Sequence, residues 1–154
     1  MKLRTTVLLL VTFLIGATLC LAADLNLGTW KLNEAKSKID AGLPKNLTVK
    51  YEMMGDSVMA TVDGVDGQGK PTHTEWMGKF DGKDYAVTGD PTSDTRALKM
   101  IDDQTLELTS KKGGKVTITG KVVVAADGKS RTLTLSGTDA AGKKIHSTSV
   151  YDKQ

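Results

Sequence analysis

His73 and His146 are the only imidazoles in this 154-residue chain, and they bound its metal and acid–base chemistry. His73 and Glu75 stand two apart in an alternating stretch, so they share one strand face, and with His146 they form the candidate metal set. The same face carries Lys79 and reads as the solvent side, so these residues are expected as surface groups and no metal is assigned. General acid–base catalysis needs a positioned pair of titratable groups. No paired carboxylates, serine elbow or reactive thiol nominate one, and an enzyme is not expected.

Two segments imitate a nucleotide site. Gly64 through Lys70 and Gly137 through Lys143 both fit the G-x-x-x-x-G-K core of a phosphate-binding loop. Such a loop continues with Ser or Thr and joins a buried parallel strand to a helix. Pro71 and Lys144 occupy the hydroxyl position, and strand patterns follow both, so the glycines are read as turn residues and no cofactor is expected. Asp63 and Asp66, near Gln68, miss the ligand spacing of a calcium loop and read as turn aspartates. Asn46-Leu47-Thr48 has the form of a glycosylation sequon and carries no assignment.

The two segments echo each other. Gly64, Asp66, Gly69-Lys70 and His73 recur as Gly137, Asp139, Gly142-Lys143 and His146 at one fixed offset. Each copy ends one strand, turns and begins the next, so one hairpin design is used twice. Two copies do not make a solenoid array.

The N-terminus has a different character. Lys2 and Arg4 precede a mostly apolar run from Thr5 to Gly16, and Ala22 and Ala23 stand just before Asp24. This layout is that of a secretory signal peptide over residues 1–23, with an apolar run short for a bilayer span. The expected mature domain is 24–154, secreted or periplasmic, without stable membrane insertion. Cys20 is the single cysteine. A lipid-bearing cysteine follows a small residue, and Leu19 precedes this one, so lipid attachment is not expected. Cleavage after Ala22 or Ala23 leaves no disulfide and no thiolate ligand. The formal charge of +3 falls to about +1 without Lys2 and Arg4, which gives no electrostatic case for nucleic acid.

The elements that position these residues are strands. Leu47, Val49, Tyr51 and Met53 alternate with Thr48, Lys50 and Glu52. Val58, Ala60 and Val62 follow, then Trp76 and Phe80 opposite His73, Glu75 and Lys79. Leu98 and Met100 share a face with Arg96. Leu106 and Leu108, then Val116, Ile118, Val122 and Val124, then Leu133 and Leu135 continue the pattern. Period-two alternation of this kind marks half-buried strands. Gly55-Asp56, Asp81-Gly82, Gly113-Gly114 and Asp127-Gly128 supply hairpin turns between them. About ten strands are expected, with one helical candidate at Asn33 to Asp40, where Asn33 caps the start.

Gly28-Thr29-Trp30-Lys31-Leu32 resembles the Gly-x-Trp opening of the lipocalins and the Gly-Thr-Trp-Lys opening of intracellular fatty-acid-binding proteins. Thr148-Ser149-Val150-Tyr151-Asp152-Lys153 resembles the closing strand of the latter group, which carries Arg-x-Tyr. The chain is also similar to small secreted lipocalin-like proteins of bacteria. The resemblance implies an all-β, antiparallel up-and-down barrel of about 8–10 strands with one short helix after the first strand. It implies that Trp30 plugs the barrel base and Tyr151 points into the cavity. Ser149 stands where that family has its carboxylate-holding arginine, and Arg96 is the nearby candidate to replace it.

If the barrel closes with the alternation above, Tyr51, Met53, Trp76, Phe80, Arg96, Leu98, Met100, Leu108 and Tyr151 face a cavity. Val58, Ala60, Leu106, Ile118, Leu133 and Leu135 join them on the inner side. The expected function is non-catalytic binding of a small apolar or amphipathic ligand by a monomer. The alternatives are a protein-binding module such as a periplasmic protease inhibitor, or a structural envelope or stress protein with a filled barrel.

Overall fold

The computed structural model describes residues 25–138 and 142–154. The leader with its Ala22/Ala23 cleavage site, and residues 139–141 of the second echo, lie outside the described residues. Ten antiparallel strands close on themselves: β1 (Gly28–Leu32), β2 (Lys45–Met54), β3 (Ser57–Val65), β4 (Pro71–Gly78), β5 (Tyr85–Thr88), β6 (Thr95–Met100), β7 (Thr105–Lys112), β8 (Lys115–Val124), β9 (Ser130–Thr138) and β10 (Lys144–Lys153). Each pairs with its neighbours in sequence, and β10 returns to β1, where Trp30 faces Lys153 and Leu32 faces Tyr151. Among the described residues this is a closed, antiparallel, lipocalin-like all-β barrel with almost no helix. Closure leaves no sheet edge open to other chains.

The turns follow the sequence signals. Gly113 and Gly114 join β7 to β8 at φ +55° and +78°, the left-handed pair that a two-residue hairpin turn requires. The helical candidate shrinks to a single 3-10 turn, Glu34–Lys36. Its cap is Asn33, whose Oδ1 accepts from Lys36 N at 3.2 Å while its Nδ2 donates to Asp152 at 2.7 Å. Ser37 Oγ then accepts from Val150 N at 2.9 Å, and Lys38 bridges to Thr148. These bonds to β10 draw the chain out of helix after one turn.

Two bulges correct the alternation. In β2 the register slips between Asn46 and Thr48, so Leu47 is the extra residue, turned outward and 36% exposed. In the β7–β8 pair Ser110 faces Ile118 but Lys111 faces Val116, which makes Thr117 the extra residue. One inserted residue reverses the facing of everything beyond it. Val116 therefore leaves the Ile118–Val122–Val124 face and is 56% exposed.

The core lies inside the barrel. Trp30, Leu98, Leu106, Val124 and Tyr151 are almost wholly buried, with Val49, Tyr51, Val58, Ala60, Trp76, Val87, Val122 and Leu133 around them.

The lumen as candidate binding site

The end of the barrel where β1 begins and β10 ends is closed. Trp30 fills it, and its indole Nε1 donates to the Asn26 carbonyl at 2.9 Å. Arg131 lies against the plug, with its guanidinium carbon 4.7 Å from the Trp30 ring centre, 5.1 Å from Tyr51 and 5.2 Å from Tyr151. Three ring faces around one cation supply the electrostatic attraction that partly offsets its burial. Arg131 Nε and Nη1 have no hydrogen-bond partner among the described residues. Burial pulls the Arg131 pKa down, opposed by Tyr51 and Tyr151. Burial likewise pushes the Tyr151 phenol up to about 12, while Arg131 and Ser149 pull the other way.

Arg131 is the residue that sequence reasoning missed. Its signal was present, since it stands two before Leu133 and four before Leu135 on one alternating face. A charge at the head of an apolar stripe in a small barrel is a buried charge.

Above the plug runs an aromatic group on one wall. Phe80 stacks on Trp76 at 6.4 Å and 8° and meets Tyr51 edge-on at 6.0 Å. Tyr85 meets Trp76 edge-on at 5.8 Å, and the Trp76 indole donates to the Arg96 carbonyl at 2.9 Å. Gly78 makes this packing possible, because a Cβ there would stand 2.6 Å from the Tyr85 ring. Leu98 is buried in the same layer, with Met100 and Leu108 part-buried against the core. Met53, expected inward, sits at the end of β2 and is 48% exposed. Alternation gives a side chain its direction, and a strand end leaves it nothing to pack on.

Arg96 faces inward but is not a free cation. Its Nη2 meets Asp90 Oδ2 at 2.9 Å and its Nε donates to Ser110 Oγ at 3.1 Å. Asp90 also accepts from Thr92 N, Thr92 Oγ1 and Ser93 Oγ. Burial alone would raise the Asp90 pKa, but Ser93, Thr92 and the Arg96 charge hold it below the ordinary carboxylate value. Both charges of this pair are largely buried and hydrogen-bonded, which is the arrangement of a structural clamp. An incoming carboxylate would have to displace Asp90.

The upper half of the lumen is lined differently. Inward positions there carry small side chains: Ala60 and Val62 on β3, Thr72 and Thr74 on β4, Gly120 on β8, Ser147 and Ser149 on β10. Val62, Leu108 and Leu135 are only partly buried. Outside the lumen at this end, a groove of about 570 Å³ runs over the outer face of β8–β10 and is bounded by Asp40, Val116, Thr117, Thr119, Ser136, Lys144 and His146 among others. A second, shallow groove of about 420 Å³ lies on the outer wall of β7–β9, lined by Glu107, Thr109, Thr119, Lys121 and Thr134.

The histidines do not converge. His73 Nδ1 meets Asp63 at 2.6 Å and its Nε2 meets Glu75 at 3.5 Å, all three on the outer wall. Hydrogen bonds that the ring donates to the carboxylates of Asp63 and then Glu75 raise the His73 pKa. His146 instead pairs with Ser136 Oγ at 3.0 Å on the far hairpin. Among the described residues no group of three or more His, Cys, Asp and Glu side chains is placed to hold a metal ion.

The chain matches no protein-family model and no curated protein sequence. It is similar in fold to solved β-barrels. One is EF1p2_mFAP2b, bound to DFHBI, at TM-score 0.50 and 13% identity over 87% of this chain and 98% of that one. Another is the redesigned β-barrel mFAP1, bound to DFHBI, at TM-score 0.47 and 17% identity over 86% of this chain and 99% of that one.

Proposed function

We propose that this barrel is a secreted or periplasmic binding protein that holds a small hydrophobic or amphipathic molecule in its upper lumen without transforming it. The observation that carries this reading is the mismatch between wall and filling. Barrel diameter grows with strand number, and about eight strands already give an interior that side chains just fill. Ten strands enclose more, yet the upper inward positions hold Val62, Thr72, Thr74 and Ser147, none of them fully buried. Solvent reaches Val62, Leu108 and Leu135 in consequence. Partly exposed Val62, Leu108 and Leu135 beside Thr72, Thr74 and Ser147 give the mixed apolar and polar lining that suits a small amphipathic molecule. The bound DFHBI of the barrel EF1p2_mFAP2b, which shares the fold, also supports the reading. The positively charged, apolar leader supports export.

The test is native mass spectrometry of the chain purified from its own host. A reproducible added mass that disappears on delipidation is expected. Leu108→Trp, which puts an indole into the upper lumen, is expected to abolish uptake of an environment-sensitive apolar dye. A clean unliganded mass together with dye binding indifferent to Leu108→Trp would overturn the proposal.

A further inference from the structure

The outer wall of β2–β4 is unlike the rest of the barrel surface. The register sets Glu52, Met59 and Met77 in one row across the three strands. Met54 follows Glu52 by two positions, on the same face. Val58, Ala60, Trp76 and Gly78 are buried on the inner side, which turns Met59 and Met77 outward. Met54 is 54% exposed and Met77 46%, with Met59 half-buried between them. At the corresponding places on the second hairpin stand Thr132 and Val150, ordinary strand residues.

Packing does not account for the trio. A half-exposed side chain gains little from burial, and strand surfaces favour β-branched and aromatic residues over unbranched ones. What three methionines share is a neutral, polarisable thioether. Partners across antiparallel strands have Cβ atoms about 4.5–5.5 Å apart, and diagonal neighbours about 7–8 Å. Unbranched side chains with three torsions close such gaps readily. The surrounding charges do not oppose a cation. Lys79 is held by Asp56 at 2.5 Å, Glu52 is paired with Lys50 at 2.8 Å, and Glu75 lies beside His73.

We propose that Met54, Met59 and Met77 form a surface site for a soft monovalent cation, Cu(I) or its redox-inert analogue Ag(I). Thioethers select such ions and leave magnesium, calcium and zinc to harder ligands. Binding is simple coordination by neutral sulfur and involves no redox step. The site is separate from the lumen and stands or falls without it.

The experiment titrates Ag(I) into the Cys20→Ser chain in chloride-free buffer, because the Cys20 thiolate would otherwise compete. Methyl-labelled methionine spectra and native mass spectrometry are read together. One equivalent of Ag(I) is expected, with the Met54, Met59 and Met77 methyls moving and saturating together while Met100 stays fixed. Met59→Leu and Met77→Leu conserve volume and are each expected to weaken binding at least about tenfold, a loss that even outer-shell changes reach at metal sites. Met54→Leu, at an exposed strand end, gives the same readout with no risk to the fold. Zn(II) is expected to move none of these methyls. The proposal is overturned by non-saturating shifts, by shifts spread over all methionines, by signals on the imidazoles instead, or by leucine variants that bind as before.

Discussion

The β3–β4 and β9–β10 hairpins run in one register at a fixed offset. Asp63 faces His73 as Ser136 faces His146, and Gly64 faces Thr72 as Gly137 faces Ile145. Gly69 and Gly142 turn the two hairpins at φ +82° and +80°. At Gly64 a Cβ would stand 2.2 Å from the Lys45 carbonyl oxygen, and at Gly137 2.2 Å from that of Thr117. The backbones are one design, down to the close approach of the preceding strand. Their lumen positions differ: the first hairpin presents Val58, Ala60, Trp76 and Gly78, the second Arg131, Leu133, Ser149 and Tyr151. Glycine and turn residues set the path of the chain, and the inward side chains are free to change. The signature of the fold and the chemistry of the lumen are therefore written in different residues.

The two hairpins differ most in buried volume at Trp76, where the other carries Ser149. Trp76→Ala is expected to cost about 3–5 kcal/mol by urea denaturation, as removal of a buried tryptophan does. Ser149→Ala, at the corresponding place, is expected to cost about 1 kcal/mol, the scale of one hydrogen bond. Equal losses would mean that the two walls share the load.

The shared backbone predicts equality at the next level. Gly64→Ala and Gly137→Ala are each expected to cost about 1–3 kcal/mol, because a methyl there overpacks against backbone oxygen. A clear inequality between them, read from urea midpoints, would break the structural equivalence of the hairpins.

Titration sharpens the contrast with smaller effects. Tyr151 is expected to remain un-ionised at pH 11 in a spectrophotometric titration, since burial holds its phenol near 12. A raised acid of this kind favours the folded state below the free-phenol pKa. That contribution is lost as pH climbs through the folded value. A phenolate signal at pH 11 that counts every tyrosine would contradict the closed base.

The smallest effect belongs to His73. Its raised pKa makes its stabilising contribution complete below the free-imidazole value and lost as pH rises through the folded one. Asp63→Asn removes the first cause of that shift, so the His73 ring is expected to titrate at lower pH in NMR. An unmoved titration would remove Asp63 from the account.

Much of the barrel was legible because alternation is local. Trp76, Leu98, Leu106, Leu133 and Tyr151 declare their face by their neighbours two positions away. Val116 and Leu47 fall on the face opposite to the one their alternation indicates, because a bulge is decided by the partner strand. At Met53 the sequence shows direction but not where the wall ends. Arg96 was legible as inward-facing, yet its partner Asp90 sits in a neighbouring turn whose approach depends on the β5–β6 pairing.

By itself the sequence determined the strands, their turns and the repeated hairpin, since these rest on period-two patterning and on glycine's access to positive φ. Only the tertiary structure decided that ten strands close completely and which charges lie inside. It also decided that Met54, Met59 and Met77 share one outer wall. Those outcomes depend on register between segments distant in the chain, and no residue carries that information alone.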